Sequence, residues 1–169
     1  MPEKQTLERA KEDLREGKSP STAAGEFVRE EIDHVREGKH GARSPQQAIA
    51  IGLSKARRAG VPLPPPKRGK VKEATRKNAE GAYEAGQAGK KEKPSHRASH
   101  AREEVLAREP HSSASHEALS KHSHSAAQKR TGEERHRSAE HAVETKGKEG
   151  LQEAAKKGAR SRAKKREKS

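Results

Sequence analysis

Cysteine and tryptophan are absent from the 169 residues, and phenylalanine, tyrosine and methionine occur once each. The lack of cysteine excludes disulfides and thiolate metal sites, which fits a reducing compartment. With so few rings, single-stranded nucleic acid cannot be held by the usual stacking of bases on aromatic side chains. Phe27 reads as a core residue and Tyr83 stands alone. No apolar run approaches the length of a membrane span, and Met1-Pro2-Glu3-Lys4-Gln5 lacks the apolar core of a signal peptide. The sequence therefore reads as a soluble cytoplasmic protein with no membrane partner. It contains no G-x-S-x-G, P-loop or H-E-x-x-H pattern, so it reads as non-enzymatic, with no cofactor. Large apolar side chains are also scarce. Leu, Ile, Val and Phe together number 17, about a tenth of the chain and well under the roughly one fifth at which a strongly charged chain can still offset its ordering entropy.

These few are unevenly spread, with eleven of the 17 in residues 1–63. Three helices are expected there. The first carries Leu7, Ala10 and Leu14 at helical spacing and stops at Gly17. The second opens on Ser19-Pro20, a cap residue followed by proline at the first helical position, and stops at Gly38; the third opens on Ser44-Pro45 and stops at Gly60. The expected core is Leu7, Leu14, Ala24, Phe27, Val28, Val35, Ile49, Leu53 and Val61. The fold class is mainly α: a small three-helix N-terminal bundle over 1–61, then a long, largely disordered or marginally helical basic segment. Within that segment, Pro62-Leu63-Pro64-Pro65-Pro66 reads as a stiff polyproline spacer over 62–66. Residues 67–93 form a basic Lys/Ala/Gly segment with a frayed helix over 71–85. Residues 94–154 are a His/Ser-rich, charge-balanced stretch with a weak thirteen-residue period (Ser99, Ser112, Ser125, Ser138), and 155–169 are a basic tail.

Net charge is +14, and it is concentrated in two stretches. Residues 55–77 hold nine cations and one acid, and 155–169 hold eight cations and one acid. Residues 1–54 sum to −1 and 78–154 to zero. Paired charge almost everywhere, with cations gathered twice, predicts a polyanion partner, most simply nucleic acid; the scarcity of aromatics favours a double-stranded, backbone-reading mode, with duplex DNA favoured over RNA. The candidate nucleic-acid-binding residues are Lys55, Arg57, Arg58, Lys67, Arg68, Lys70, Lys72, Arg76 and Lys77, then Lys156, Lys157, Arg160, Arg162, Lys164, Lys165, Arg166 and Lys168. Lys55, Arg57 and Arg58 end a helix, where its dipole alone favours cations. The bundle, at −1 over residues 1–54, carries little of this signal, and residues 1–61 are left for a possible protein partner.

Eight of the ten histidines lie in residues 96–141. His96 and His100 stand at i, i+4 spacing and His122-Ser123-His124 is a short chelate, but no third ligand follows, so no metal is assigned. Histidine protonation could instead make this segment more cationic in acid.

Three resemblances add to this reading. Pro66-Lys67-Arg68-Gly69-Lys70 resembles the core of an AT-hook, with Lys70 where that family usually has Arg and without its following proline. Residues 156–168 are similar to the tails of linker-histone-like bacterial nucleoid proteins, which implies a nucleoid-associated accessory role. The stretches GEFVREEIDHVREGKHGARS and QAIAIGLSKARRAGV resemble an uncharacterised family of small basic bacterial proteins, over roughly the first 66 residues, which implies a bacterial cytoplasmic origin and no particular activity. Two alternatives remain open. One is a stress-protective hydrophilin like the late-embryogenesis-abundant proteins, which the Ala/Lys/Glu/Gly-rich composition suits. The other is an RNA- or ribosome-associated protein.

Overall fold

Two serine–proline pairs begin two helices as their sequence requires. Ser19 accepts a hydrogen bond from the Thr22 amide at 3.3 Å with Pro20 in the first turn, and Ser44 accepts one from the Gln47 amide, also at 3.3 Å, with Pro45 in the first turn. The computed structural model describes residues 2–89 and 96–166, in seven α-helices and one 3-10 turn. They are α1 (Lys4–Arg15), α2 (Pro20–Arg36), α3 (Pro45–Arg58), α4 (Glu73–Gln87), α5 (His96–Ala107), the turn His111–Ala114, α6 (His116–Gln128) and α7 (Gly132–Arg166). There is no strand among the described residues. The first three helices end where the sequence places them, each followed by a glycine in the left-handed region: Gly17 at φ 76°, Gly38 at 77° and Gly60 at 89°.

The chain divides into two units, Met1–Ser123 and His124–Ser169. In the first, α1 and α3 both pack on α2. The core is built from small residues. Ala10, Ala23, Ala24, Phe27, Ala56 and Val61 form one buried cluster, and Val35, Ala42, Ala48 and Ala114 form a second. Leu7, Leu14, Val28, Ile49 and Leu53, expected as core, are only partly buried. The reason is how closely the helices approach. At Gly52 of α3, a Cβ would stand 2.7 Å from the Val28 Cα and 2.9 Å from the Phe27 carbonyl oxygen. Backbones that near leave room for alanine and glycine between them, and the larger aliphatics flank the seam.

The compact unit is larger than the three helices legible in the sequence. α4 also packs on α3, burying Ala79 and Ala82, with Gly86 against the Arg57 carbonyl and the Gln87 side-chain amide donating to the Gly60 oxygen at 3.3 Å. The 3-10 turn caps the far end of α2. Arg36 Nε donates to the Ala114 oxygen at 2.9 Å, and His111 Nδ1 donates to the Val35 oxygen at 3.0 Å. The amides of Gly41 and Ala42 bond to the carbonyls of Leu106 and Pro110. The proline-rich stretch is likewise tied down rather than a bare spacer. Leu63 packs against the core, and the carbonyls of Leu63 and Pro64 accept hydrogen bonds from the Arg57 guanidinium at 3.2 and 3.3 Å.

Residues 96–166 are helical for most of their length, so of the disordered or marginally helical segment expected there the structure describes helix and not disorder. In the second unit, α7 is broken at Gly147, whose φ of 63° interrupts it, and none of its described side chains is buried. The expected boundary between the 67–93 and 94–154 segments lies outside the described residues.

Candidate functional site

The nine candidate cations of residues 55–77 separate into two groups. Lys55, on α3, is drawn inward, with its Nζ 2.5 Å from Glu31 Oε2 and 3.5 Å from Glu30 Oε1. Arg57 is buried and spends its donors on the Leu63 and Pro64 carbonyls, and burial pushes its pKa down. Arg76, on α4, is held between Glu73 at 2.8 Å and Glu80 at 3.1 Å, and these contacts, Glu73 foremost, raise its pKa. All three are engaged within the fold. Lys67, Arg68, Lys70, Lys72 and Lys77 are exposed, and Lys67, Arg68, Lys72 and Lys77 form no ion pair among the described residues. Gly69 stands at φ 79° in a turn closed by the Lys70 amide on the Lys67 oxygen at 3.2 Å. Arg58 is exposed, with one guanidinium nitrogen 2.8 Å from Ser54 Oγ.

In the second unit, the part of α7 beyond Gly147 carries Lys156, Lys157, Arg160, Arg162 and Lys164, all exposed and without an ion pair among the described residues. At 100° per residue, Lys156, Lys157, Arg160 and Lys164 share about a quarter of the helix circumference, and Arg162 lies on another side. Lys168 lies outside the described residues, as do the side chains of Lys165 and Arg166.

A second constellation escaped the sequence reading. On α2, Glu31 and His34 are three residues apart and so share a face. The chain turns back after Gly38 and brings His40 against them. One ligand atom from each of Glu31, His34 and His40 lies within 4.8 Å of the other two. Glu31 is fully buried, its Oε1 3.2 Å from His40 Nε2 and its Oε2 against Lys55. Neither oxygen makes a well-aligned hydrogen bond among the described residues, and Lys55 supplies the opposite charge. His34 Nε2 stands 3.1 Å from Glu3 Oε1, and this contact, with a weaker one from Lys39, keeps the Glu3 carboxyl below its ordinary value. The Glu3 amide donates to Glu30 Oε2 at 3.1 Å. The signal is present in the sequence as Glu-x-x-His at 31–34 with His40 just past the helix, but eight of the ten histidines lie in 96–141, where the denser pattern outweighs it.

Both this cluster and the helices that position it fall within one stretch of recognisable kinship. Residues 8–68 match the model of a family of unknown function (DUF6496). That bears out the likeness to an uncharacterised family read from residues 1–66. The DUF6496 region takes in all of α2 and α3 and most of α1, and with them Glu31, His34, His40 and Lys55; it stops at the start of the exposed basic turn. No curated protein and no solved structure matches the chain. No helix among the described residues is long and apolar enough to cross a membrane.

Proposed function

We propose that this chain binds nucleic acid through its backbone phosphates, duplex DNA before RNA, without sequence preference and without catalysis, as a nucleoid-associated accessory protein. One observation carries the reading: cations inside the bundle are matched to carboxylates or carbonyls, whereas Lys67, Arg68, Lys72, Lys77 and the face 156–164 are turned to solvent. Exposed cations on short elements exchange water and counterions for phosphates at little structural cost, and released counterions supply the affinity. The contact set is then Arg58, Lys67, Arg68, Lys70, Lys72 and Lys77 in the first unit and Lys156, Lys157, Arg160 and Lys164 in the second, with Arg162, Lys165, Arg166 and Lys168 included on the strength of the sequence.

Fluorescence anisotropy with a labelled duplex, repeated across salt concentrations, tests this. About eight phosphate contacts give a slope of log K against log salt near −7. A flat salt dependence would sink the proposal. Running the same titration with single-stranded DNA and with duplex RNA ranks the possible partners.

The hydrophilin reading keeps one specific support. Among the described side chains, neither α6 nor α7 buries one, so tertiary packing does little to stabilise either helix. Helix that appears on drying or in trifluoroethanol, and not on DNA, would favour that reading.

A further inference from the structure

We propose that Glu31, His34 and His40 form a binding site for a divalent transition-metal ion of the zinc type. The deciding contact is at His40. Its Nδ1 is 3.1 Å from the Gly41 carbonyl oxygen, which can only accept, so Nδ1 carries the hydrogen of that bond. That bond turns Nε2 toward Glu31 Oε1, 3.2 Å away, where the ring nitrogen and the buried carboxylate oxygen are placed to share one cation, a proton or a metal ion. A backbone carbonyl holding the distal ring N–H is also how metal-ligating histidines are commonly oriented.

The surroundings suit an ion. Lys55 grips the other oxygen of Glu31, which fixes the carboxylate and leaves Oε1 free to ligate. Glu3 and Glu30 add two carboxylates within the same neighbourhood, on the His34 and Lys55 sides, so a dication is not opposed by the nearby ammonium alone. Two imidazoles and one carboxylate form a donor set suited to zinc, with a fourth position left for water. Ligand atoms around tetrahedral zinc stand about 3.4 Å apart at bond lengths of roughly 2.1 Å. The three ligand atoms lie within 4.8 Å of one another, so a modest closing of two partly buried histidine side chains completes the geometry.

The test is isothermal titration of zinc chloride into the full chain, metal-free beforehand, at pH 7.5. Three proteins are compared: the parent, His34→Gln/His40→Gln, and His122→Ala/His124→Ala. The third controls for the histidine-rich segment. The expected result is one tight site in the parent, retained in the His122/His124 variant and weakened at least tenfold in the His34/His40 variant. Zinc should also raise the melting temperature of the parent and not that of the His34/His40 variant, since binding only the folded form stabilises it. Circular dichroism checks that the double variant keeps its helix; should it unfold, His34→Gln alone decides by the same tenfold criterion. The proposal falls if the parent shows no tight site, if a folded His34 variant binds as the parent does, or if the site disappears with His122 and His124.

Discussion

Lys55 and Lys67 are twelve residues apart in one cationic stretch, yet the structure treats them oppositely. Lys55 lies against buried Glu31 and Glu30, while Lys67 is in solvent with no ion pair among the described residues. The same contrast separates the two units. α2 and α3 bury Phe27, Val35 and several alanines, and match their internal charges. α7 buries none of its described side chains and leaves Lys156, Lys157, Arg160, Arg162 and Lys164 outward. Net charge counts all of these residues alike, whereas binding to a polyanion depends on the ones the fold does not use.

The largest expected difference concerns stability within the chain. Amides of α2 and α3 should exchange with solvent only on cooperative opening of the bundle. Those of α7 should exchange at least about a hundredfold faster, because no packing opposes local opening. Hydrogen exchange read by mass spectrometry measures this directly, and equal protection in both units would break the comparison. Next comes the charge contrast itself. Replacing Lys67, Arg68, Lys72 and Lys77 with Gln should lower duplex affinity by about tenfold or more at 0.1 M salt and flatten the salt slope by about half, if roughly eight phosphates are contacted in the parent. Lys55→Met should leave that affinity unchanged. It should instead destabilise the fold by about 2 kcal/mol, less than for a fully buried pair because Lys55 is partly exposed. Gly52→Ala should cost a similar amount, about 1–3 kcal/mol, by pressing a methyl group onto the α2 backbone. Urea denaturation of the full chain measures both. A neutral Gly52→Ala would mean that the two helices are not as close as described.

The helix ends were legible in the sequence because they rest on local chemistry. Ser-Pro at the start and glycine at the stop act through a few neighbouring atoms, and α2 and α3 begin where Pro20 and Pro45 predict. The core was less legible. Scoring residues by hydrophobicity favours Leu7, Ile49 and Leu53, but where backbones approach at Gly52 the seam selects for small volume, and Ala23, Ala24 and Ala56 take the buried places. The docking of α4 was not legible at all, since it depends on alanines at 79 and 82 and a glycine at 86 that look like filler in a charged segment. The Glu31 cluster shows the same limit. Its members span Glu3 to Lys55, and only tertiary contact brings them together.

The smallest expected effect concerns Glu3, which joins the start of α1 to His34 on α2 and to Lys39 beyond it. These partners hold its carboxyl below the ordinary value of 4.5, the His34 contact contributing most. A carboxyl whose pKa is lower folded than unfolded leaves the unfolded chain holding more protons in acid, so its contribution is present above about pH 4.5 and fades as pH falls through the folded-state value. Glu3→Gln should therefore melt slightly below the parent at pH 7, with the gap closing as the pH is lowered past 4.5. Because Glu3 is exposed, salt should shrink the gap as well. A difference that persisted unchanged at pH 3 and in high salt would show that the role of Glu3 does not rest on its charge.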